Sequence, residues 1–140
     1  MAADEESQSR LRVVIADDDP LAREMIAAII GSEPSLELVG QAEDTDTAVD
    51  AVLEHSPDVA ILDWVMPGGG GGRAAADIAR ARPETVVIAL TAEDTEDAAL
   101  DMRRAGAKGF LVKGSAPARL IETIHTVVQV KRDAQRPPRT

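Results

Sequence analysis

Across 140 residues the chain carries 25 Asp and Glu against 15 Lys and Arg, a formal net charge of −10, and no cysteine. That length builds one domain with a buried core, the missing cysteines exclude disulfide scaffolds and thiolate chemistry, and the acidity argues against direct binding of nucleic acid. No apolar run approaches the roughly 18 residues needed to span a bilayer, and the acidic start is no signal peptide, so a cytoplasmic protein without membrane contact is expected.

Residues 1–10 are polar and acidic without periodicity and read as a disordered leader. Leu11-Arg12-Val13-Val14-Ile15-Ala16 reads as a buried strand rich in β-branched residues. It runs into Asp17-Asp18-Asp19-Pro20, where Asp19 as cap and Pro20 at the first helical position start a helix that Gly31 stops. Leu36 to Ala42 reads as a second, more peripheral strand, and Asp44-Thr45-Asp46 opens a helix that Ser56-Pro57 ends. Val59-Ala60-Ile61-Leu62 is a short apolar run that stops at one carboxylate, Asp63, before Pro67 and the glycines Gly68 to Gly72. Arg73 to Ala81 is then a short Ala-rich helix, and the glycine run before it predicts a mobile segment and a poorly formed helix start. Val86 to Leu90 is a strand ending at Thr91, Asp94 or Thr95 caps the next helix, and Gly109 to Val112 is a strand ending at Lys113. Ser115 is the expected cap of a last helix with Pro117 near its start, and residues 131–140 read as a basic, Pro-containing tail or linker.

Five strand-helix alternations predict a doubly wound α/β fold, a parallel sheet with helices on both faces. In such a sheet the functional crevice lies at the carboxyl ends of the strands. Asp17, Asp18, Asp63, Thr91 and Lys113 all fall there, each just past an apolar run. Three carboxylates in one crevice repel one another and call for a cation. Hard oxygen ligands suit Mg²⁺, with Mn²⁺ as an alternative. A divalent ion and the Lys113 ammonium would balance the three acids, and Asp63 would then be the best nucleophile for an anionic phosphoryl group. Thr91 offers a hydroxyl donor to a phosphoryl oxygen. Taken singly, each of these residues has a plain structural reading as cap, turn residue or surface amine; together they do not.

The stretches Val13 to Leu21, Ile61 to Gly68, Ala89 to Ala92 and Ala105 to Lys113 together resemble the receiver domain of two-component response regulators. Details around Asp17 to Pro20 and Phe110 to Lys113 are similar to receivers of regulators with a LuxR/NarL-type helix-turn-helix output. The resemblance covers roughly residues 11–130 and implies a (βα)5 flavodoxin-like three-layer sandwich with strand order 2-1-3-4-5. It implies that a histidine kinase or phosphotransfer protein passes a phosphoryl group to Asp63. Asp17, Asp18, Asp63 and the backbone carbonyl of Val65 would hold Mg²⁺, and Lys113 would pair with the phosphoryl group. Thr91 and Phe110 would be the switch residues that relay the change to an output domain or partner protein. Val65 and Glu93 would flank the attacking water; Val65 cannot orient water, so slow self-dephosphorylation is expected.

The chain departs from the family in lacking a following helix-turn-helix, in having Gly114 after the lysine, and in its five-glycine run. A stand-alone receiver and a fragment of a longer regulator both stay open. Two alternative functions carry weight beside the switch. One is a phosphorylation-independent binding module on the same fold; the other is a haloacid-dehalogenase-like phosphatase, for which Asp17 and Asp19 have the required offset but Leu21 is out of place. A homodimer through the apolar last helix is a further expectation, because Leu120, Ile121, Ile124, Val127, Val128 and Val130 cover more than one stripe.

Overall fold

The structure is a computed structural model that describes residues 10–137; the expected leader, up to residue 9, and the end of the tail lie outside the described residues. Among the described residues ten elements alternate: β1 Leu11–Ala16, α1 Pro20–Gly31, β2 Leu36–Ala42, α2 Thr45–His55, β3 Val59–Asp63, α3 Gly70–Ala81, β4 Val86–Thr91, α4 Glu96–Ala105, β5 Gly109–Val112 and α5 Pro117–Gln135. Every strand pairing is parallel, in the order β2-β1-β3-β4-β5 expected of the flavodoxin-like sandwich.

Because side chains alternate across a strand, the sheet has two faces with different chemistry. Val13, Ile15, Val59, Ile61, Ile88 and Leu90 face α1 and α5, where Ile30, Leu120, Ile124 and Val128 complete a layer of bulky aliphatics. The opposite face is built largely from alanine: Ala16, Ala60 and Ala89 meet Ala48, Ala74 and Ala75 of α2 and α3, with Ile78 and Met102 filling between them. Small residues let α2 to α4 approach the sheet closely.

The helix starts follow local capping chemistry. Asp19 accepts the Leu21 N–H, Asp44 and Thr47 form a capping box, and Thr95 accepts the Ala98 N–H. Ser115 departs from its expected role: Ala116 is the cap of α5, and the Ser115 hydroxyl donates instead to the Val112 carbonyl at 2.6 Å, closing the turn after β5. Helix α5 also continues to Gln135, through residues expected to form the tail. Its buried stripe is Leu120, Ile124 and Val128, with Ile121 and Val127 partly covered, which leaves Val130 exposed.

The glycine run corrects a second expectation. Helix α3 begins at Gly70, inside the run, rather than ill-formed before Arg73. The reason is close packing of the helix start on the end of β3. A Cβ on Gly71 would lie 2.6 Å from the Asp63 carbonyl oxygen and 3.0 Å from the Trp64 Cα. Trp64 is half-buried over this turn. At Gly72 a Cβ would meet only the tip of the Trp64 ring, at 3.3 Å.

The two positions therefore respond differently to alanine. Gly71→Ala forces backbone apart and is expected to cost about 1–3 kcal/mol in urea unfolding. Gly72→Ala gains helix propensity against a mild contact and is expected to change stability by less than about 1 kcal/mol. Equal losses at the two sites would contradict this packing.

Candidate functional site

The strand ends deliver the site. Asp17 follows β1 directly, and its backbone is tied on both sides: its N–H donates to the Ala42 carbonyl at 3.1 Å, and its own carbonyl accepts from Arg23 of α1 at 2.6 Å. Its carboxylate is 1% exposed; Oδ1 accepts the Asp19 N–H at 2.9 Å, and Oδ2 has no hydrogen-bond partner. Asp18 beside it is exposed. Asp63 is the last residue of β3 and is 3% exposed, with Oδ1 accepting the Val65 N–H at 3.2 Å.

Lys113 follows β5, and its backbone N–H donates to the Thr91 carbonyl at 2.7 Å. Its Nζ lies 2.9 Å from Asp63 Oδ2 and 3.3 Å from Asp17 Oδ2, the second contact being ionic rather than a well-formed hydrogen bond. Carboxylate oxygens of Asp17, Asp18 and Asp63 all lie within 4.8 Å of one another. A buried carboxylate oxygen without a donor, inside a cluster of hard anionic ligands, is what a small divalent cation would satisfy.

Burial is the main force on Asp63 and pushes its pKa up to about 6; the Asp17 charge adds to the rise, against hydrogen bonds from Lys113 and Val65 that lower it. At Lys113, burial works to lower the pKa, but the hydrogen bond and charge of Asp63, with Asp17 behind them, outweigh it and leave the pKa raised. The lysine thus stays an ammonium, while the acid it contacts holds its proton to a higher pH than an ordinary carboxyl does.

Not every expected residue converges. Asp17, Asp18, Asp63 and Lys113 meet. Thr91 is 6% exposed and borders the same pocket of about 610 Å³, but its hydroxyl is turned to the backbone of Glu93, donating to the carbonyl at 3.1 Å and accepting the N–H at 2.9 Å. Val65 is 79% exposed on the rim, and its carbonyl receives no hydrogen bond among the described residues. Glu93 is exposed on the same rim, whereas Phe110 is half-buried against the alanine-rich core beneath α3 and α4. Asp19 caps α1 and stays out of the cluster, which removes the second carboxylate that the phosphatase reading needs.

Two groups escaped the sequence reading. Asp97 and Asp101 of α4 line the pocket wall; their spacing of four on one helix face was the available signal. Thr45 and Arg73 hold the loop after β3 from the side, and nothing local to either residue announces it.

The family profile described as the response regulator receiver domain matches residues 13–125. The oxygen regulatory protein NreC of Staphylococcus epidermidis is 39% identical over 120 residues, 85% of this chain and 55% of that protein. The transcriptional regulatory protein DegU of Brevibacillus brevis is 33% identical over 123 residues, 88% of this chain and 52% of that protein. The chain therefore spans about half the length of these relatives. Among solved structures, the signal receiver domain of NarL from Mycobacterium tuberculosis superposes with a TM-score of 0.83 at 32% identity, covering 86% of this chain and 98% of that one. A LuxR-family two-component response regulator from Aurantimonas sp. SI85-9A1 gives 0.82 at 30% identity, covering 87% of each chain. With its acidic pocket at the carboxyl edge of a 2-1-3-4-5 sheet, the chain belongs to the response regulator receiver domain family, the signalling module of two-component systems, and its relatives are regulators of the LuxR/NarL type.

Proposed function

We propose that Asp63 is the phosphoacceptor of this receiver, supplied by a histidine kinase or phosphotransfer protein in the cytoplasm. The observation that carries the reading is the Lys113 ammonium seated between the buried carboxylates of Asp63 and Asp17. An Asp63 oxygen attacks phosphorus, the bond from phosphorus to the donor imidazole nitrogen breaks, and the electron pair leaves with that nitrogen, which takes up a proton. Asp17, Asp18, Asp63 and the Val65 carbonyl would hold Mg²⁺, or Mn²⁺ in its place, whose charge offsets that of the phosphoryl oxygens when bound. Lys113 then pairs with the acyl phosphate it helped to form. Chemistry of this kind is confined to the domain's own phosphorylation and dephosphorylation.

The switch follows from the Thr91 hydroxyl. In the structure it is satisfied by the Glu93 backbone. A phosphoryl oxygen on Asp63 offers it a charged acceptor, a stronger partner than a neutral amide. Thr91 leaving Glu93 changes the surface of α4 and β5, and Phe110 repacks in the space. Only a differential stabilisation of this second arrangement shifts the population that an output domain or partner protein reads.

Acetyl phosphate with Mg²⁺ is expected to give an acyl phosphate labile to alkali and hydroxylamine on the wild-type chain, seen by intact mass, and none on Asp63→Asn. Equal modification of the two would end the reading. Since Val65 offers no hydrogen bond to an attacking water, the phosphorylated state is expected to persist for minutes or longer after donor removal; decay within seconds would contradict that role.

The pH dependence has a definite sign. Asp63 has a folded pKa near 6 against 3.8 for the ordinary carboxyl, so its contribution to metal-free stability is fully present below 3.8 and lost as pH rises through 6. The ionised form is the strained one, and it is also the form that binds a cation. Added Mg²⁺ is therefore expected to raise Tm more at about pH 7 than at about pH 5. Asp63→Asn should flatten the difference, and an equal rise in the wild type at both pH values would contradict it.

A further inference from the structure

In the proposed cation site the loop from Trp64 to Gly69 would contribute one carbonyl, that of Val65, which borders the acidic pocket. Yet it runs into Gly68, Gly69 and Gly70, all at positive φ (95°, 116° and 79°). Glycine loses more backbone freedom on ordering than any other residue, and it has no side chain with which to hold one conformation. The order must come from elsewhere.

It comes from α2 and α3. Thr45, the first residue of α2, is fully buried; its N–H donates to the Pro67 carbonyl at 3.0 Å and its hydroxyl to the Gly70 carbonyl at 3.1 Å. Its Cβ covers Gly68, where an added methyl group would lie 3.2 Å away. Arg73, in the first turn of α3, donates to the Gly68 carbonyl at 2.5 Å and to Asp46 of α2 at 3.2 Å. The Gly71 N–H closes the set on the Trp64 carbonyl at 3.1 Å. The carbonyls of Trp64, Pro67, Gly68 and Gly70 are thus each tied down, while those of Val65, Met66 and Gly69 accept no hydrogen bond among the described residues, and of these three residues Val65 borders the acidic pocket.

From this pattern we infer that Thr45 and Arg73 form a brace that fixes the glycine loop with the Val65 carbonyl presented to the cation site, so that residues outside the pocket set its metal affinity. Both are positioning residues. The inference rests on the proposed acceptor and cation site and adds to it the origin of the loop's order. A buried threonine hydroxyl that bonds a carbonyl far along the chain holds geometry, because moving the loop would leave both groups unpaired. Outer partners of this sort typically govern metal affinity by tenfold or more.

The test uses the full chain and Mg²⁺ alone. Trp64 is the only tryptophan, lies beside Asp63 and borders the pocket, so its fluorescence reads binding, with calorimetry as a check. Thr45→Val keeps the buried shape and removes the hydroxyl donor. It is expected to weaken Mg²⁺ binding roughly tenfold and to speed hydrogen exchange at the Gly71 N–H while protection of the β1 and β3 amides stays at the wild-type level. Thr45→Ser is expected to restore both. Arg73→Met, at a half-exposed position, gives the same direction at a smaller size and serves if Thr45→Val fails to fold. Mg²⁺ affinity unchanged in folded Thr45→Val and Arg73→Met overturns the brace, as does a loss of strand protection equal to that of the loop. If the wild type binds no Mg²⁺, the cation site fails instead, and unchanged Gly71 exchange in both variants would then sink the brace separately.

Discussion

One ammonium group organises the functional edge of this domain. Lys113 stands 2.9 Å from Asp63 and 3.3 Å from Asp17, and both carboxylates are almost wholly removed from water. Buried charges cost several kcal/mol each to desolvate unless they are paired, and pairing returns that cost only in good geometry. A single lysine cannot neutralise three acids. These side chains by themselves carry an excess of negative charge: burial above all, with the Asp17 charge adding to it, raises the pKa of Asp63, and no hydrogen bond satisfies Oδ2 of Asp17. An electrostatic deficit of that kind is a stability cost at rest and a binding capacity for a cation and a phosphoryl group.

The sheet makes this arrangement rigid. β1, β3 and β5 terminate at one edge, and each charged residue, or the one after it, is held by a main-chain bond to a neighbouring strand: Asp17 to Ala42, Trp64 after Asp63 to Leu90, Lys113 to Thr91. Behind them the two faces of the sheet differ. The aliphatic layer under α1 and α5 is bulky and close-packed, which resists change. The alanine-rich layer under α2 to α4 brings the helices near, and there the glycines of α3 touch the backbone of Asp63 and Trp64. The loop beside Asp63 is thus ordered by its neighbours rather than by its own side chains.

Thr91 and Phe110 lie on the same side as that closer-packed layer. The hydroxyl of Thr91 has a complete set of partners on Glu93, so the observed arrangement is a satisfied state rather than a strained one. The switch proposed above would need a competing partner that is better, and a phosphoryl oxygen is one. The acidic residues Asp97 and Asp101 on the pocket wall give the approach to the site a negative field.

Much of this was legible in the residues. Alternating apolar runs and caps such as Asp19 with Pro20 set the order of strands and helices, because periodicity and capping are local. The acids and the lysine following those runs marked the crevice, since a parallel sheet aligns the strand ends. What the sequence could not decide is anything that depends on distant neighbours. The glycine run reads as slack by composition; it becomes the start of a helix because Trp64, Thr45 and Arg73, brought beside it by the fold, supply the contacts that glycine lacks. Ser115 reads as a cap and instead closes a turn. The chain by itself thus determined which groups stand at the carboxyl edge, through backbone periodicity. Only tertiary packing decided how they are aimed, because direction depends on partners that the linear order keeps apart.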